Sequence, residues 1–296
     1  MDRRAHITTE QSNAASEELD SLDVGQAFDV FDREESKVTQ AVSAERDAII
    51  AAIELVVDRL QQGGRLIYVG AGTSGRLGLL DAVECPPTFQ SPPEMVQARL
   101  AGGNAAFVRS VEGAEDDAQA GAQAVADVGP LDVVFGIAAG GTTPFVHGAI
   151  EEARAKGARS VFLACVPASQ APDQADVSIR LNTGPELLTG STRLKAGTAT
   201  KMVLNRITTI SMARLGKVHG NLMVDVNSRG NAKLVERGTR MVAEIAGIEF
   251  DAATIWLERA EGSVKLACIM QRFECSRTEA QQRLASADNF LRAALG

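Results

Sequence analysis

Two glycine-rich stretches carry hydroxyl groups where a phosphate can be held. Gly70-Ala71-Gly72-Thr73-Ser74-Gly75-Arg76 follows the apolar run Leu66-Ile67-Tyr68-Val69, and Ala138-Ala139-Gly140-Gly141-Thr142-Thr143-Pro144 follows Val133-Val134-Phe135-Gly136-Ile137. A loop of this kind that opens a helix offers an anion unpaired backbone N–H groups and the positive end of the helix dipole. Gly72, Gly75, Gly140 and Gly141 let the backbone approach a ligand closely, and Thr73, Ser74, Thr142 and Thr143 add side-chain donors. Gly70-x-Gly72-x-x-Gly75 also has the form of a dinucleotide fingerprint. That chemistry calls for an acid at the end of the next strand to bind a ribose, and here that strand ends Arg99-Leu100-Ala101-Gly102-Gly103. A phosphate monoester therefore suits the first loop better than a dinucleotide. A purely structural turn is the remaining reading, and it is stronger for the second loop. Two such loops on neighbouring strands would converge on one sugar-phosphate pocket.

Carboxylates stand near both loops. Glu84 precedes Cys85-Pro86-Pro87, where the double proline is expected to end the first loop's helix. Glu112-Gly113-Ala114-Glu115-Asp116-Asp117 forms a second acidic cluster. Each has a plain reading: a solvated acid at a helix end for Glu84, and acids favoured by the dipole at a helix start for the cluster. The catalytic reading pairs them. An elimination needs a base for a C–H proton and an acid for the departing oxygen, and two carboxyls in different environments can divide those roles. A third polar stretch, Gly190-Ser191-Thr192-Arg193-Leu194-Lys195-Ala196-Gly197-Thr198, offers Ser191 and Lys195 at a helix start. These residues can bind an anionic group of a substrate or simply cap the helix.

The elements that must position these groups alternate. Strands are expected near 65–69, 94–100, 132–137, 160–166 and 177–181, with helices near 77–83, 116–128, 145–156 and 195–215 between or after them. The strands are apolar throughout, which indicates a parallel sheet covered by helices on both faces. In such sheets ligands sit at the carboxyl ends of the strands, where both glycine-rich loops fall. Residues 1–39 read as a polar arm, loose at first, leading into a helix that continues to Gln61. Residues 40–246 read as the phosphosugar-binding domain. Residues 247–296 read as a small module of about three helices, parted from the rest at Gly247-Ile248-Glu249.

Bulk properties exclude several classes. The net charge of −8 argues against non-specific nucleic-acid binding, which depends on neutralising phosphates with Lys and Arg. Cys85, Cys165, Cys268 and Cys275 form no CxxC pair, and with only His6, His147 and His219 there is no zinc spacing. Isolated thiols fit a reducing cytoplasm. No apolar run reaches the length of a membrane span, and the polar N-terminus, with no apolar core of its own, is not expected to act as a signal peptide.

Several of these segments together resemble one family. They are Gly64 to Gly78; Asp81-Ala82-Val83-Glu84-Cys85-Pro86-Pro87-Thr88; Val111 to Asp116; Leu188 to Ala199; and Gly216-Lys217-Val218-His219-Gly220-Asn221-Leu222-Met223-Val224-Asp225-Val226. The lead-in, with Thr9-Glu10, Asn13 and Leu19-Asp20, is similar too. The chain resembles the N-acetylmuramic acid 6-phosphate etherases, which contain a sugar isomerase (SIS) domain. The resemblance implies a flavodoxin- or Rossmann-like three-layer α/β fold with a small all-helical C-terminal module. It implies a cofactor-independent lyase, with no metal, that cleaves the lactyl ether by elimination and hydration. By the same resemblance Glu84 is the proton donor and Glu115 the second catalytic acid, with neighbouring Asp116 as its rival. A cytoplasmic homodimer in cell-wall recycling is implied as well. The second loop departs from the family's usual Ala-Ala-Ser-Gly-Arg-Thr-Pro, because Gly140 and Thr142 replace its Ser and Arg. A non-catalytic SIS-domain regulator that binds phosphosugars, or an aldose–ketose isomerase, is the alternative reading.

Overall fold

The computed structural model describes residues 4–226, 228 and 231–296. The chain divides into two compact units: residues 1–82 with 94–208, and residues 83–93 with 209–296.

The first unit is built on five parallel strands: β1 (Leu66–Gly70), β2 (Val96–Leu100), β3 (Val133–Ile137), β4 (Arg159–Ala164) and β5 (Val177–Arg180). Their spatial order is β2-β1-β3-β4-β5. The order reverses between β1 and β3, whose registers pair Leu66 with Val133 and Gly70 with Ile137. β1 and β3 are buried along their whole length, as the unbroken apolar runs require. Alternate side chains serve opposite faces. Ile67, Val69 and Val134 join the cluster made with α5 (Ala118–Ala124) and α6 (Pro144–Ala155). Tyr68 and Phe135 face the other way, edge to face at 5.5 Å.

Two long helices precede the sheet, α1 (Val24–Ala44) and α2 (Arg46–Gln61), parted at Glu45. The sequence reads them as one. α3 runs from Gly72 to Phe89 and α7 from Lys195 to Arg214; α4 (Ala105–Val108) is a single turn. α3 corrects two expectations. It starts at Gly72, so the first glycine-rich loop is largely the helix's first turn. It also passes through Pro86 and Pro87, which remove two N–H donors without breaking it, and the Gln90 N–H closes the end on the Pro86 carbonyl at 2.9 Å. The expected helix over 116–128 is shorter, a 3-10 turn at 114–116 followed by α5.

The N-terminal segment is not loose. Ile7 is buried in the cluster of Ala138, Phe162 and Val166. Thr8 donates through its N–H and hydroxyl to Gln170 Oε1, at 2.9 and 3.0 Å. Asn13 donates to Glu34 Oε2 at 3.0 Å and to the Pro185 carbonyl at 3.1 Å. Residues 4–16 thus form a strap held by Glu34 and by groups more than a hundred residues away in the chain.

The second unit contains α8 (Ala232–Ala246), α9 (Phe250–Arg259), α10 (Val264–Phe273), α11 (Arg277–Ser286) and α12 (Leu291–Leu295). They surround an aliphatic core with Val242, Leu257, Ile269 and Leu291. Gly247, in the left-handed region, closes α8 inside this unit. Residues 249–296 hold four helices where about three are expected. Among the described residues no helix is long and apolar enough to cross a membrane.

Candidate active site

The carboxyl ends of β1 and β3 meet where the strand order reverses, the usual ligand position in an open parallel sheet. A cleft of about 270 Å³ lies there. The first loop contributes Ala71, Gly72, Thr73 and Ser74, and the second contributes Ile137, Ala139, Gly140, Thr142 and Thr143. Gly190 and Thr192 come from the segment before α7, Glu115 from the 114–116 turn, and Arg4, Ile7 and Glu10 from the strap. All belong to the first unit. A larger hollow of about 480 Å³ lies in the second unit, lined by Cys275, Glu279 and Arg283 among others.

The cleft suits an anion. Thr73 and Ser74 lie in the first turn of α3, whose N–H groups have no partner within the helix. Thr143 is the N-cap of α6, yet its side chain makes no capping bond, and Pro144 takes the first helical position. Two helix N-termini with unspent donors therefore face one space. The glycines divide into two kinds. Gly72 is required by its conformation, φ +52°, with open space beyond it. Gly75 is required by packing, because a Cβ there would stand 2.6 Å from the Gly70 carbonyl oxygen. Gly141 likewise packs against Ala171, and its carbonyl is bonded to His147 Nε2 at 2.8 Å. Gly75 and Gly141 shape the loops and are not on the cleft wall.

The third polar stretch is placed differently. Lys195 is 1% exposed, and its ammonium bonds Glu34 Oε2 at 2.8 Å. The Lys195 and Ala196 N–H groups both donate to the buried carboxylate of Glu186 at 2.9 Å. The start of α7 is thus already neutralised by a protein anion. Ser191 stays half-buried off the wall, and only Gly190 and Thr192 of this stretch reach the cleft. Burial alone would raise Glu34. Hydrogen bonds from Lys195, Lys37 and Asn13, with the Lys195 charge, outweigh it and hold the carboxyl at about 2.

Glu115 lines the cleft and makes no hydrogen bond or ion pair among the described residues. Asp116 is off the wall, with Oδ1 3.7 Å from Arg4 Nη2. Glu115 and Asp116 both lie in the 3-10 turn at 114–116, where consecutive side chains point apart. Glu84 is exposed on α3, in the segment that belongs to the second unit, and is not part of this cleft's wall. One turn before it, Asp81 is buried and accepts from the Tyr68 hydroxyl at 3.1 Å; burial raises its carboxyl, against the nearby Lys201 charge. Among the described residues no group of three or more His, Cys, Asp or Glu is placed to hold a metal ion.

Sequence reasoning misses Arg4 and Glu10. The one signal for them is that the resemblance already covers Thr9-Glu10 and Asn13. The strap docks through the Gly190 N–H, which donates to the Thr9 carbonyl at 3.2 Å.

The chain is similar to known proteins in sequence and in fold. The model of the glucokinase regulatory protein N-terminal SIS domain matches residues 48–154, and the SIS domain model matches residues 109–209. An N-acetylmuramic acid 6-phosphate etherase of Synechocystis sp. is 51% identical over 297 residues, covering 100% of this chain and 97% of its own. One of Parasynechococcus marenigrum is 53% identical, covering 98% of this chain and 92% of its own. In fold the chain is similar to a phosphoheptose isomerase from Francisella tularensis, with a TM-score of 0.51 at 19% identity over 64% of this chain and 98% of that one.

Proposed function

The chain belongs to the N-acetylmuramic acid 6-phosphate etherase family, and from that premise we propose how its cleft cleaves the lactyl ether of N-acetylmuramic acid 6-phosphate. The products are N-acetylglucosamine 6-phosphate and D-lactate. The 6-phosphate sits on the open N-termini of α3 and α6, held by backbone N–H groups and the hydroxyls of Thr73, Ser74, Thr142 and Thr143. Once the sugar ring is open, the C1 aldehyde acidifies the C2 proton. Glu115 removes that proton, and the C3–O bond to lactate breaks as an acid protonates the departing oxygen. Water then adds across the C2–C3 double bond. The family resemblance assigns that acid to Glu84, whose side chain is not among those lining this cleft.

The observation that carries this reading is the uncommitted carboxylate of Glu115 in a cleft built for an anion. A pocket that only bound a phosphorylated sugar would gain nothing from an unpaired negative charge beside the phosphate. The catalytic role supplies its purpose. An isomerase would use a base at C2 but would leave the C3 substituent in place. The family resemblance also supports a homodimer working in the cytoplasm on recycled cell-wall sugars.

The test is lactate release from N-acetylmuramic acid 6-phosphate by the purified protein, followed with a lactate-coupled assay. Turnover at enzymatic rates is expected. Binding of the phosphosugar without lactate release would move the chain to the regulator class.

A further inference from the structure

The proposed reaction cannot begin on the closed sugar, because C2–H is acidic only when C1 is an aldehyde. Opening the ring is itself a proton transfer. The O1 hydroxyl loses its proton, the C1–O5 bond breaks as C1=O1 forms, and O5 takes up a proton. A group that accepts at one atom and donates at another does this with no net change in itself.

Of the described residues on the cleft wall, only Glu10 and Glu115 carry a carboxylate that can accept a proton. Arg4 is always charged, and the hydroxyls of the threonines and Ser74 are too weakly acidic. Glu115 is engaged at C2 in the proposed mechanism. The Glu10 carboxylate makes no hydrogen bond or ion pair among the described residues, while its backbone is held in the strap's turn. Its Oε2 lies 3.1 Å from where a Cβ on Gly190 would stand, so the missing side chain at Gly190, φ +75°, leaves it room. The turn carrying it is closed by the Glu10 N–H donating to the Ile7 carbonyl at 2.9 Å. Next to it Thr9 Oγ1 is fully buried without a partner, 3.5 Å from where a Cβ on the cleft-lining Gly140 would stand. The strap thus brings the Glu10 carboxylate to the cleft wall, with Thr9 buried behind Gly140.

We infer that Glu10 is a catalytic residue that opens the sugar ring, taking the O1 proton and delivering a proton to O5, while Glu115 acts at C2. The assignment rests on the proposed etherase reading. The test compares the Glu10→Gln variant with the wild type on two substrates. One is N-acetylmuramic acid 6-phosphate. The other is its 4,5-dideoxy analogue, which has no hydroxyl with which to close a furanose or pyranose and presents a free aldehyde. Glu10 is exposed and unbonded, so the variant should keep the wild-type Tm. Lactate release from the cyclic substrate should fall about 10²-fold, while release from the acyclic analogue changes less than about threefold. Equal losses on both substrates would place Glu10 in the elimination and overturn the inference, as would no loss on either. A wild type that releases lactate from neither substrate would defeat the etherase reading itself, and this assignment with it.

Discussion

α3 and α7 both begin after a glycine-punctuated stretch rich in Ser and Thr, and in the sequence either start can hold an anion. Their surroundings separate them. At α3 the first-turn N–H groups and the hydroxyls of Thr73 and Ser74 face an open cleft. At α7 the corresponding N–H groups are spent on Glu186, and the lysine that looks like a ligand is buried against Glu34. A helix start binds a substrate only if the protein has left its donors unsatisfied. The same residue types line an open cleft in one place and are spent on architecture in the other.

The largest effect that sharpens this contrast is expected at Lys195. Lys195→Met leaves Glu34 buried without its main partner and should destabilise the fold by about 3–5 kcal/mol, read by denaturant unfolding. A raised KM with unchanged stability would instead make Lys195 a substrate ligand and erase the contrast.

Acid should loosen the same cluster. Glu34 is held at about 2, below its ordinary 4.5. Its contribution is therefore complete above about pH 4.5 and is lost as pH falls from there through about 2. The loss is on the order of 3 kcal/mol. Glu34→Gln should flatten the acid limb of a stability–pH curve, and an unchanged limb would show that other groups carry it.

At the open helix start the effect moves to affinity. Ser74→Ala should leave stability within about 0.5 kcal/mol of wild type and weaken phosphosugar binding by roughly tenfold or more, the usual worth of a hydrogen bond to a charged group. Titration calorimetry with the phosphosugar reads this. Unchanged affinity would remove Ser74 from the phosphate site.

The sheet and the two glycine-rich loops are legible in the sequence because unbroken apolar runs and Gly-Thr-Ser punctuation are local signals. The course of α3 through Pro86-Pro87 is not. Double proline argues for a stop, and the helix continues because only two carbonyls lose their donors. The strap is hidden for a different reason. Ile7 is its one large buried apolar side chain, and its anchors, Thr8 to Gln170 and Asn13 to Glu34 and Pro185, join parts of the chain that no local pattern links. Lys195 is unreadable likewise, since its partner Glu34 lies 161 residues away. Which member of Glu115-Asp116 reaches the cleft depends on how the 114–116 turn is set against the loops, and spacing alone cannot tell.

The central claim is that Glu115 moves the C2 proton. The most direct test runs wild type and Glu115→Gln in D₂O and examines the N-acetylglucosamine 6-phosphate formed. The wild-type product should carry solvent deuterium at C2. The variant should still bind substrate but release lactate roughly 10²–10⁴ times more slowly. Wild-type rates in the variant, or a product that keeps its original C2 hydrogen, would contradict the account.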